Sequence, residues 1–366
     1  MGEGQDARWM RLALALGARG LGRVWPNPAV GCVIVRDGRV LGRGWTQDGG
    51  RPHAETMALA QAGEQARGAT AYVSLEPCSH HGKTPPCADA LIAAGVARVV
   101  VGLGDPDPRV AGSGLAALRA AGIAVTEGVC APEARRTHRG FLSRVTQGRP
   151  MLTLKLATSA DGRIATASGE SQWITGPSAR AWVHGMRACH DAVLVGAGTA
   201  RADDPSLTVR GLGIAHQPVR IVLSRRLDLP RGSALMQTAD RVPVWLCHGP
   251  DAPLAACKVW QDAGARVIPV ATGPGGQLDL AAVMRALGDA GLTRVFCEGG
   301  GMLAAGLLAA DLVDDLAVIT AGMVLGAEGT PAVGAMGIAA LAEAPRFALA
   351  ETRVLGGDAL SLWSRG

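Results

Sequence analysis

The stretch from Val73 to Cys87 constrains the fold more than any other part of the chain. It begins in an apolar run that favours a β-strand, passes through a loop with three prolines, and reaches Cys87 where a helical pattern begins. Cys78 and Cys87 therefore lie near strand-to-helix transitions, where backbone N–H groups and the helix dipole favour a thiolate. In a chain of alternating strands and helices, two such cysteines are candidates to hold a shared metal ion.

His53 offers a third ligand upstream of the two cysteines. It follows Pro52, which suits the first turn of a helix, and it precedes Glu55 by two residues. A His and a Glu at the start of a helix can both reach a pocket beyond the helix end. One His and two Cys can hold Zn²⁺, and a neighbouring Glu completes the arrangement that a hydrolytic deaminase of a nucleobase-like ring uses.

Glu55 separates a catalytic zinc site from a structural one. Structural sites normally close with four protein ligands, whereas catalytic sites leave one position for water. His80 or His81 could supply a fourth ligand, but Glu55 would then have no purpose. In a catalytic site, zinc lowers the pKa of bound water to about 7, and Glu55 can move that water's proton to the leaving amine. His80 and Lys83 are then expected to contact substrate.

Other features of the first half allow two interpretations each. Asn27 stands between two prolines, so its fixed amide could read a ring edge or simply form a turn. The segment from Asp105 to Gly114 places small residues before a helix, which suits a phosphate or a plain connector. Helical spacing runs from Arg8 to Leu21. The linker-like stretch from Thr146 to Pro150 predicts one domain over residues 1–148 and another over 149–366.

Length and charge narrow the function classes. A chain of 366 residues is long enough for two or three domains. A net charge of +5 without a Lys/Arg run indicates either a phosphorylated small ligand or a solvated basic surface. Aromatic residues make up only 3% and form no basic stripe, which argues against a nucleic-acid partner. No apolar run approaches the ~18 residues of a membrane span, so the cytoplasm is the expected location.

The second half has the pattern of a mostly parallel α/β sheet with an antiparallel end. Glycines follow two of its predicted strands, at Gly196-x-Gly198-Thr199 and at Glu298-Gly-Gly-Gly301. Backbone at such strand ends can approach a pyrophosphate, although each could also be an ordinary tight connection. Neither matches the G-x-G-x-x-G pattern with a trailing acid, so a Rossmann domain is not predicted.

The motifs, taken in order, resemble the bifunctional deaminase/reductase family of riboflavin biosynthesis. In the first half they are Pro26-Asn27-Pro28-x-Val30-Gly31, His53-Ala-Glu55, the stretch from Leu75 to Cys87, and Asp105-Pro-x-Pro-x-Val-x-Gly-x-Gly114. In the second half they are Lys155-Leu-Ala-x-Ser-x-Asp161-Gly, Ser168-Gly-Glu-Ser-x-Trp173-Ile-Thr, Asp203-Asp-Pro-x-Leu-Thr-x-Arg210, and Glu298-Gly-Gly. Generic cytidine-type deaminases keep their two cysteines only two residues apart, so the longer spacing here is distinctive.

The resemblance implies a fold and two reactions. The fold is α/β, with a cytidine-deaminase-like three-layer α/β/α domain followed by a dihydrofolate-reductase-like α/β domain. The first domain would use Zn²⁺ to remove the 2-amino group of 2,5-diamino-6-ribosylamino-4(3H)-pyrimidinone 5′-phosphate. The second would use NADPH to reduce the ribosyl group of the product to ribityl. The family also implies a homo-oligomer, either a dimer or a tetramer.

The resemblance also carries residue roles onto matching positions. His53, Cys78 and Cys87 become the zinc ligands, and Glu55 and Lys155 the catalytic residues. The implied substrate contacts are Asn27, His80, Lys83, Ser171, Arg187, Leu207, Arg210 and Glu298. The implied NADPH contacts are Ala157, Trp173, Thr199, Asp203, Ser224, Arg225, Gly300, Gly301, Met302 and Leu303. Taken in isolation, Trp173 could instead be core packing and Arg187 a solvated helix charge.

Two departures from the family pattern leave alternatives open. Thr46 takes the place of a His that the family often has after the hairpin glycine. Ser224-Arg225 stands where the family often has Asp-Ser, so Arg225 could pair with the 2′-phosphate of NADPH or lie on the surface. The alternatives to a bifunctional enzyme are a monofunctional deaminase with a non-catalytic second half, a nucleic-acid deaminase, and a zinc-stabilised binding module.

Overall fold

The chain divides into two compact units in a computed structural model that describes residues 3–79, 85–108 and 110–365. The units are Met1–Gly148 and Arg149–Gly366. Gly148 ends the last helix of the first unit in a left-handed conformation, with φ of 69°, and its N–H donates to the carbonyl of Arg144 at 3.1 Å. Because glycine adopts this conformation at little cost, the chain leaves the helix there.

The first unit alternates strands and helices. Its helices are α1 (Glu3–Gly17), α2 (Ala54–Ala62), α3 (Cys87–Ala93), α4 (Ser113–Ala120) and α5 (Ala131–Gln147). Its strands are β1 (Gly31–Arg36), β2 (Arg39–Trp45), β3 (Thr70–Val73), β4 (Arg98–Val101) and β5 (Ala124–Glu127). The helix predicted from Arg8 instead begins at Glu3 and gives way at Gly17 to a 3₁₀ turn, where a Cβ would lie 2.7 Å from the carbonyl oxygen of Ala29.

Helices cover both faces of the five-stranded sheet of this unit. The strand order is β2-β1-β3-β4-β5, with β1 antiparallel to both neighbours and β3, β4 and β5 parallel. Apolar side chains of α2, α3 and α4 pack on one face, and those of α1 and the start of α5 pack on the other. The result is the predicted three-layer α/β/α arrangement, in which the carboxyl ends of β3 and β4 share one edge.

Two glycines of β2 let α2 lie close against the sheet. A Cβ on Gly42 would lie 2.0 Å from the carbonyl oxygen of Ala58, and one on Gly44 would lie 2.3 Å from that of Ala54. Any larger residue would displace the helix backbone. The first turn of α2, which carries His53 and Glu55 at its start, is therefore fixed by backbone contact with the strand.

The second unit contains the larger sheet. Its strands are β6 (Met151–Thr158), β7 (Arg163–Ala165), β8 (Ala192–Gly196), β9 (Val219–Leu223), β10 (Val244–His248), β11 (Arg266–Pro269), β12 (Arg294–Gly299), β13 (Asp315–Ala321), β14 (Thr330–Pro331), β15 (Ala348–Leu355) and β16 (Asp358–Ser364). Its helices are α6 (Pro177–Ala188), α7 (Ala197–Asp203), α8 (Leu254–Asp262), α9 (Leu280–Asp289) and α10 (Gly301–Ala309).

Nine of these strands form one mixed sheet in the order β11-β10-β9-β8-β12-β6-β13-β16-β15. Every pairing from β11 to β13 is parallel, and only the pairings of β16 with β13 and β15 are antiparallel. The predicted parallel sheet with an antiparallel end is confirmed. Among the described residues, no helix is both long and apolar enough to cross a membrane.

Two candidate active sites

Three predicted metal ligands meet at one edge of the first sheet. His53 directly precedes α2, Cys78 lies in the loop after β3, and Cys87 is the first residue of α3. The Nδ1 atom of His53 lies 3.3 Å from Sγ of Cys87 and 3.7 Å from Sγ of Cys78. The three ligand atoms all lie within 4.8 Å of one another. Elements far apart in sequence thus converge on a single point.

This donor set fits a zinc ion. Tetrahedral bonds of about 2.3 Å to sulfur and about 2.0 Å to nitrogen put neighbouring ligand atoms roughly 3.5 Å apart, which is close to the separations seen here. The three residues are the only cluster of this kind found among the described residues. Three protein ligands leave one tetrahedral position for water, as in catalytic sites.

The two cysteines are not equivalent. Hydrogen bonds from Cys87 and His53 lower the pKa of Cys78 to about 4, and the backbone N–H of Cys87, at the start of α3, donates to its sulfur at 3.3 Å. The Cys78 thiolate and burial raise the pKa of Cys87. The backbone N–H at the start of α3 thus adds to the hydrogen bonds that favour a thiolate at Cys78.

Glu55 is a carboxyl group in an apolar setting beside the cluster. Its side chain is buried in the first turn of α2, and burial, followed by the charge of Cys78, raises its pKa to about 7. A carboxyl with a pKa near neutrality can both accept and release a proton. This is the property that the predicted proton transfer from water to a leaving amine requires.

Glu76 is a residue of this site whose role the sequence did not reveal. Its buried carboxylate accepts backbone hydrogen bonds from the segment that follows β4, and their donors are Asp105 at 3.2 Å, Gly112 at 3.1 Å, Gly114 at 3.1 Å and Leu115 at 3.4 Å. These N–H groups already have an anionic partner within the chain. Of the two interpretations of the segment from Asp105 to Gly114, the structure favours the connector. The N–H groups that could have bound a phosphate bind the carboxylate of Glu76 instead. The signal available in the sequence was an acidic residue inside a strand-to-helix turn.

Asn27 lies in a turn, as one of its two interpretations predicts, and its contact with a substrate ring stays a prediction. Its backbone N–H donates to the carbonyl of Val24 at 3.0 Å, as expected in a turn. Its side-chain amide lies against Gly50, where a Cβ would lie 1.9 Å from the amide nitrogen. Gly50 has a φ of +85°, so this close approach requires glycine. His80 and Lys83, the other predicted substrate contacts of this unit, lie outside the described residues.

Thr46 has a structural role at the position where the family often has His. Its buried side-chain oxygen accepts from the N–H of Val30 at 3.0 Å. The hydroxyl thereby fixes the chain just after the turn that contains Asn27.

The second candidate site lies at the carboxyl ends of the parallel strands of the larger sheet. β8 and β12 are neighbours, so the segments after them, from Gly196 to Thr199 and from Glu298 to Gly301, lie side by side. The hydroxyl of Thr199 donates to the carbonyl of Gly299 at 3.2 Å, and a Cβ on Gly300 would lie 3.0 Å from that hydroxyl. Ligands of open α/β sheets bind at such an edge.

A buried charge cluster lies beside these glycines. Arg187, on α6, donates to both carboxylate oxygens of Glu298, at 2.5 and 2.9 Å, and both side chains are about nine-tenths buried. Burial favours the neutral acid, but Arg187 outweighs it and lowers the pKa of Glu298. Burial also lowers the pKa of Lys155, on β6, although Glu298 opposes the shift. A lysine in this setting gives up a proton more readily than one in water.

The surroundings of Arg187 and Trp173 exclude the simpler interpretations of a solvated charge and of core packing. Arg187 is not a solvated helix charge, because Glu298 and the carbonyl of Thr208, at 2.9 Å, hold its guanidinium. Trp173 is not core packing, because 64% of its surface is exposed, with the guanidinium of Arg180 4.7 Å from its ring centroid. An exposed indole beside the site can take part in binding, since it offers a large flat surface.

The remaining predicted contacts differ in accessibility. Leu207 is buried, and Arg210 is exposed. Asp203, the last residue of α7, is exposed. Met302 is exposed on the first turn of α10. Ala157, Ser171, Gly301 and Leu303 are half-buried.

Ser224 and Arg225 have partners within the chain. They follow β9, which neighbours β8, so they lie at the same sheet edge as the glycine segments. The hydroxyl of Ser224 donates to Asp228 at 3.0 Å, and Arg225 donates to the carbonyl of Gly276 at 2.8 Å. Cofactor contacts by these two residues stay a prediction.

Comparisons with known proteins find a family match for each half of the chain. The family model described as the cytidine and deoxycytidylate deaminase zinc-binding region matches residues 3–103, and the RibD C-terminal domain matches residues 150–361. The riboflavin biosynthesis protein RibD of Escherichia coli is 44% identical, covering 97% of this chain and 98% of that protein. RibD of Haemophilus influenzae is 42% identical, covering 97% and 96%.

Solved structures agree over the same length. Acinetobacter baumannii RibD matches with a TM-score of 0.89 and 38% identity, covering 99% of each chain. A Thermotoga maritima diaminohydroxyphosphoribosylaminopyrimidine deaminase/5-amino-6-(5-phosphoribosylamino)uracil reductase matches with a TM-score of 0.87 and 33% identity, covering 100% of this chain and 99% of that one.

Proposed function

The chain belongs to the RibD family of riboflavin biosynthesis proteins, and from that membership we propose which of its residues perform the two reactions. It is a bifunctional enzyme, a zinc-dependent deaminase of the diaminopyrimidine phosphate and an NADPH-dependent reductase of the deaminated product. The alternative of a monofunctional deaminase is disfavoured, because the family model of the reductase half matches residues 150–361. We assign deamination to residues 1–148 and reduction to 149–366, a division supported by the two compact units.

The deaminase proposal is carried by one observation, the three-ligand cluster with a buried carboxyl group beside it. Zinc, when bound, would lower the pKa of a bound water to about 7 and so make it a nucleophile at neutral pH. His53, Cys78 and Cys87 would hold the ion. Glu55 would accept the water's proton and deliver it to the amine that leaves as ammonia. Asn27, His80 and Lys83 would contact the ring and its substituents.

The reductase proposal rests on the buried cluster and the adjacent glycines. NADPH, when bound, would supply a hydride to the open-chain sugar. Thr199, Gly300 and Gly301 would bring backbone and hydroxyl groups to the cofactor, together with Ala157, Trp173, Asp203, Ser224, Arg225, Met302 and Leu303. Glu298 would accept from the pyrimidine edge. Arg187, Arg210, Ser171 and Leu207 would contact the rest of the substrate, with the arginines suited to its phosphate.

Lys155 is the proposed acid of the reductase. Its lowered pKa suits a group that donates a proton to the sugar oxygen or nitrogen as the hydride arrives. Its ammonium would also orient the reacting atom before transfer.

Replacing Glu55 with Gln tests the deaminase assignment. The amide has the same shape but cannot accept the water's proton, so ammonia release should fall by about 10²–10⁴-fold. Zinc content and NADPH oxidation with the deaminated substrate should not change. Glu64→Gln, an exposed carboxyl of the same unit, is the matched control. Ammonia release that persists in a zinc-loaded Glu55→Gln enzyme would show that Glu55 is not the proton carrier.

We also propose that the chain forms a homo-oligomer, a dimer or a tetramer. The edge strand β15 supports this, because it exposes 53% of Leu349 and 81% of Val354 at an open sheet edge. Sedimentation velocity of the full chain should give a mass above 37.3 kDa, and a monomer at micromolar concentration would contradict the proposal. The cytoplasm stays a prediction that cell fractionation would test.

A further inference from the structure

The segment Ser206–Arg210 belongs to none of the strands or helices of the described residues. It carries Leu207 and Arg210, two of the proposed substrate contacts. Within the described part of the chain, no backbone–backbone hydrogen bond involves these five residues. Their backbone groups are held instead by side chains that come from three other places in the same unit. A segment held in this way depends on those side chains for its position.

The side chain of Gln217 makes the two backbone hydrogen bonds with Val209 that a neighbouring strand would make. Its side-chain oxygen accepts from the N–H of Val209 at 2.7 Å, and its side-chain nitrogen donates to the carbonyl of the same residue at 3.2 Å. Donor and acceptor of one residue are thereby satisfied by one amide, as they are in a β-ladder. Gln217 thus fixes the backbone immediately before Arg210.

Helix α6 holds the segment at two further points. Nδ1 of His184 accepts from the N–H of Arg210 at 3.2 Å, and one turn later Arg187 donates to the carbonyl of Thr208 at 2.9 Å. His184 must be neutral at Nδ1 to accept this bond, and burial followed by the charge of Arg187 lowers its pKa. The helix that carries Arg187 thereby also sets the backbone of Arg210.

Arg220 binds the backbone of Ser206, the first residue of the segment. It is fully buried on β9 and donates to the carbonyl of Ser206 at 3.3 Å. The same guanidinium donates to the hydroxyl and carbonyl of Thr238, at 2.8 and 3.1 Å, and to the carbonyl of Val242 at 2.6 Å. The buried Arg220 guanidinium thereby links the segment that begins at Ser206 to the turn that contains Thr238 and Val242.

The backbone of Leu207 has a conformation that a leucine rarely adopts, so its surroundings must stabilise it. It has a φ of 53°, which is unfavourable for a leucine, and its side chain is buried. Such conformations persist where the surroundings over-determine the backbone, and they concentrate at ligand sites. The hydrogen bonds on either side of Leu207, at Ser206 and Thr208, provide that constraint.

We infer that His184, Gln217 and Arg220 are positioning residues for the reductase substrate: they replace a missing neighbouring strand and fix Leu207 and Arg210 in their binding positions. This inference rests on the proposed assignment of Leu207 and Arg210 as substrate contacts. It predicts that loss of these side chains weakens substrate binding more than it slows hydride transfer, and that it leaves the deaminase unaffected.

Gln217→Met is the direct test, because methionine matches the shape of glutamine but cannot make either bond. The KM for 5-amino-6-(5-phosphoribosylamino)uracil should rise about tenfold, as expected for the loss of two hydrogen bonds of modest strength. The reductase kcat, the KM for NADPH and the deaminase rate should each stay within about twofold of the parent enzyme. Gln261→Met, an exposed glutamine on α8, is the matched control and should change nothing.

His184 provides a second test with a conservative rescue. The side-chain oxygen of asparagine lies where Nδ1 of histidine lies, so His184→Asn keeps an acceptor for the N–H of Arg210. His184→Leu removes it. The substrate KM should stay near that of the parent enzyme in His184→Asn and rise in His184→Leu. Equal KM values in the two variants would overturn the role of His184.

A double variant separates failure of this inference from failure of the proposed site. If Gln217 acts through Arg210, then Gln217→Met should no longer raise KM in an Arg210→Met background. Additive effects would contradict the inference. A raised KM in Arg210→Met with an unchanged KM in Gln217→Met would overturn the positioning role alone. An unchanged KM in Arg210→Met would remove the substrate-site assignment and the inference together.

Discussion

The buried His190 has its tautomer set by its hydrogen-bond partners and its pKa set by burial. His190, between α6 and β8, is buried, and its Nδ1 contacts the carbonyl of Met186 at 2.7 Å. A carbonyl can only accept, so Nδ1 carries the proton and Nε2 accepts from the hydroxyl of Thr153 at 3.1 Å. Burial lowers the pKa of His190 to about 3. The folded reductase unit therefore keeps this imidazole neutral.

His190 should make the reductase unit less stable in mild acid. Its pKa is depressed in the folded state, whereas in the unfolded chain it takes up a proton below about pH 6.5. Stability is therefore lost as the pH falls from 6.5 towards 3, and the loss between pH 7.5 and pH 5.0 is about 2 kcal/mol. Asparagine can replace the bond to Met186 but does not titrate.

Urea denaturation of the parent chain and of His190→Asn at the two pH values measures this effect. Hydrogen–deuterium exchange of β6 and β8 reports the reductase unit specifically. The stability gap between the two proteins should shrink by about 2 kcal/mol from pH 7.5 to pH 5.0. A gap that does not depend on pH would show that His190 does not titrate on unfolding.

Single residues could be predicted from the sequence where few residue types can perform their chemistry. His53, Cys78, Cys87 and Glu55 could be identified from sequence because few residue types bind zinc or move protons. Glu76 and Gln217 could not, because a carboxylate or an amide bonds to whatever backbone the fold brings near it. Arg187 could be assigned only by family resemblance, since a helix arginine in isolation indicates a surface charge.

At the level of elements, contact between two loops positions Cys78, one of the three proposed zinc ligands. The loop after β3 carries Glu76 and Cys78, and the segment before α4 wraps around the Glu76 carboxylate. Gly114, in the first turn of α4, lies so close that a Cβ would be 2.0 Å from the carbonyl oxygen of Pro77. The position of Cys78 therefore depends on a helix that supplies no ligand.

Gly114→Ala should disturb the zinc site from this helix. The added methyl group must displace Pro77, the residue before Cys78, so zinc affinity should fall by about tenfold, as for other supporting residues of metal sites. Gly4→Ala is the matched control, because Gly4 is also a helix residue and has nothing within 4 Å of its Cβ position. Metal titration of both variants measures the effect. Equal zinc affinities would contradict the role of the two loops.

Strands and helices were largely predictable because their apolar periodicity is local. The parallel order of the larger sheet and its antiparallel end follow that pattern. The use of the Asp105–Gly114 segment was not predictable, because glycine before a helix suits a phosphate and a carboxylate equally. Only the fold shows that Glu76 occupies those N–H groups. Similarly, the sequence of Ser206–Arg210 does not indicate that side chains of Gln217, His184 and Arg220 bind its backbone.

At the level of the whole molecule, the two reactions are assigned to two compact units. The first unit brings together three residues that can hold a metal ion, and the second has a buried lysine beside the glycines at its sheet edge. Among the described residues, a group of possible metal ligands occurs only in the first of these sites, so loss of the metal should affect only one reaction. This separation distinguishes a bifunctional enzyme from a deaminase with a binding domain.

Both activities, measured on one purified sample before and after a chelator removes zinc, show whether this chain has two independent active sites. Ammonia release from the diaminopyrimidine phosphate should disappear with the metal and return when zinc is added back. NADPH oxidation with the deaminated substrate should proceed at the same rate throughout. Deamination that survives complete metal loss, or a zinc-loaded sample that never oxidises NADPH, would contradict the assignment of two active sites to this chain.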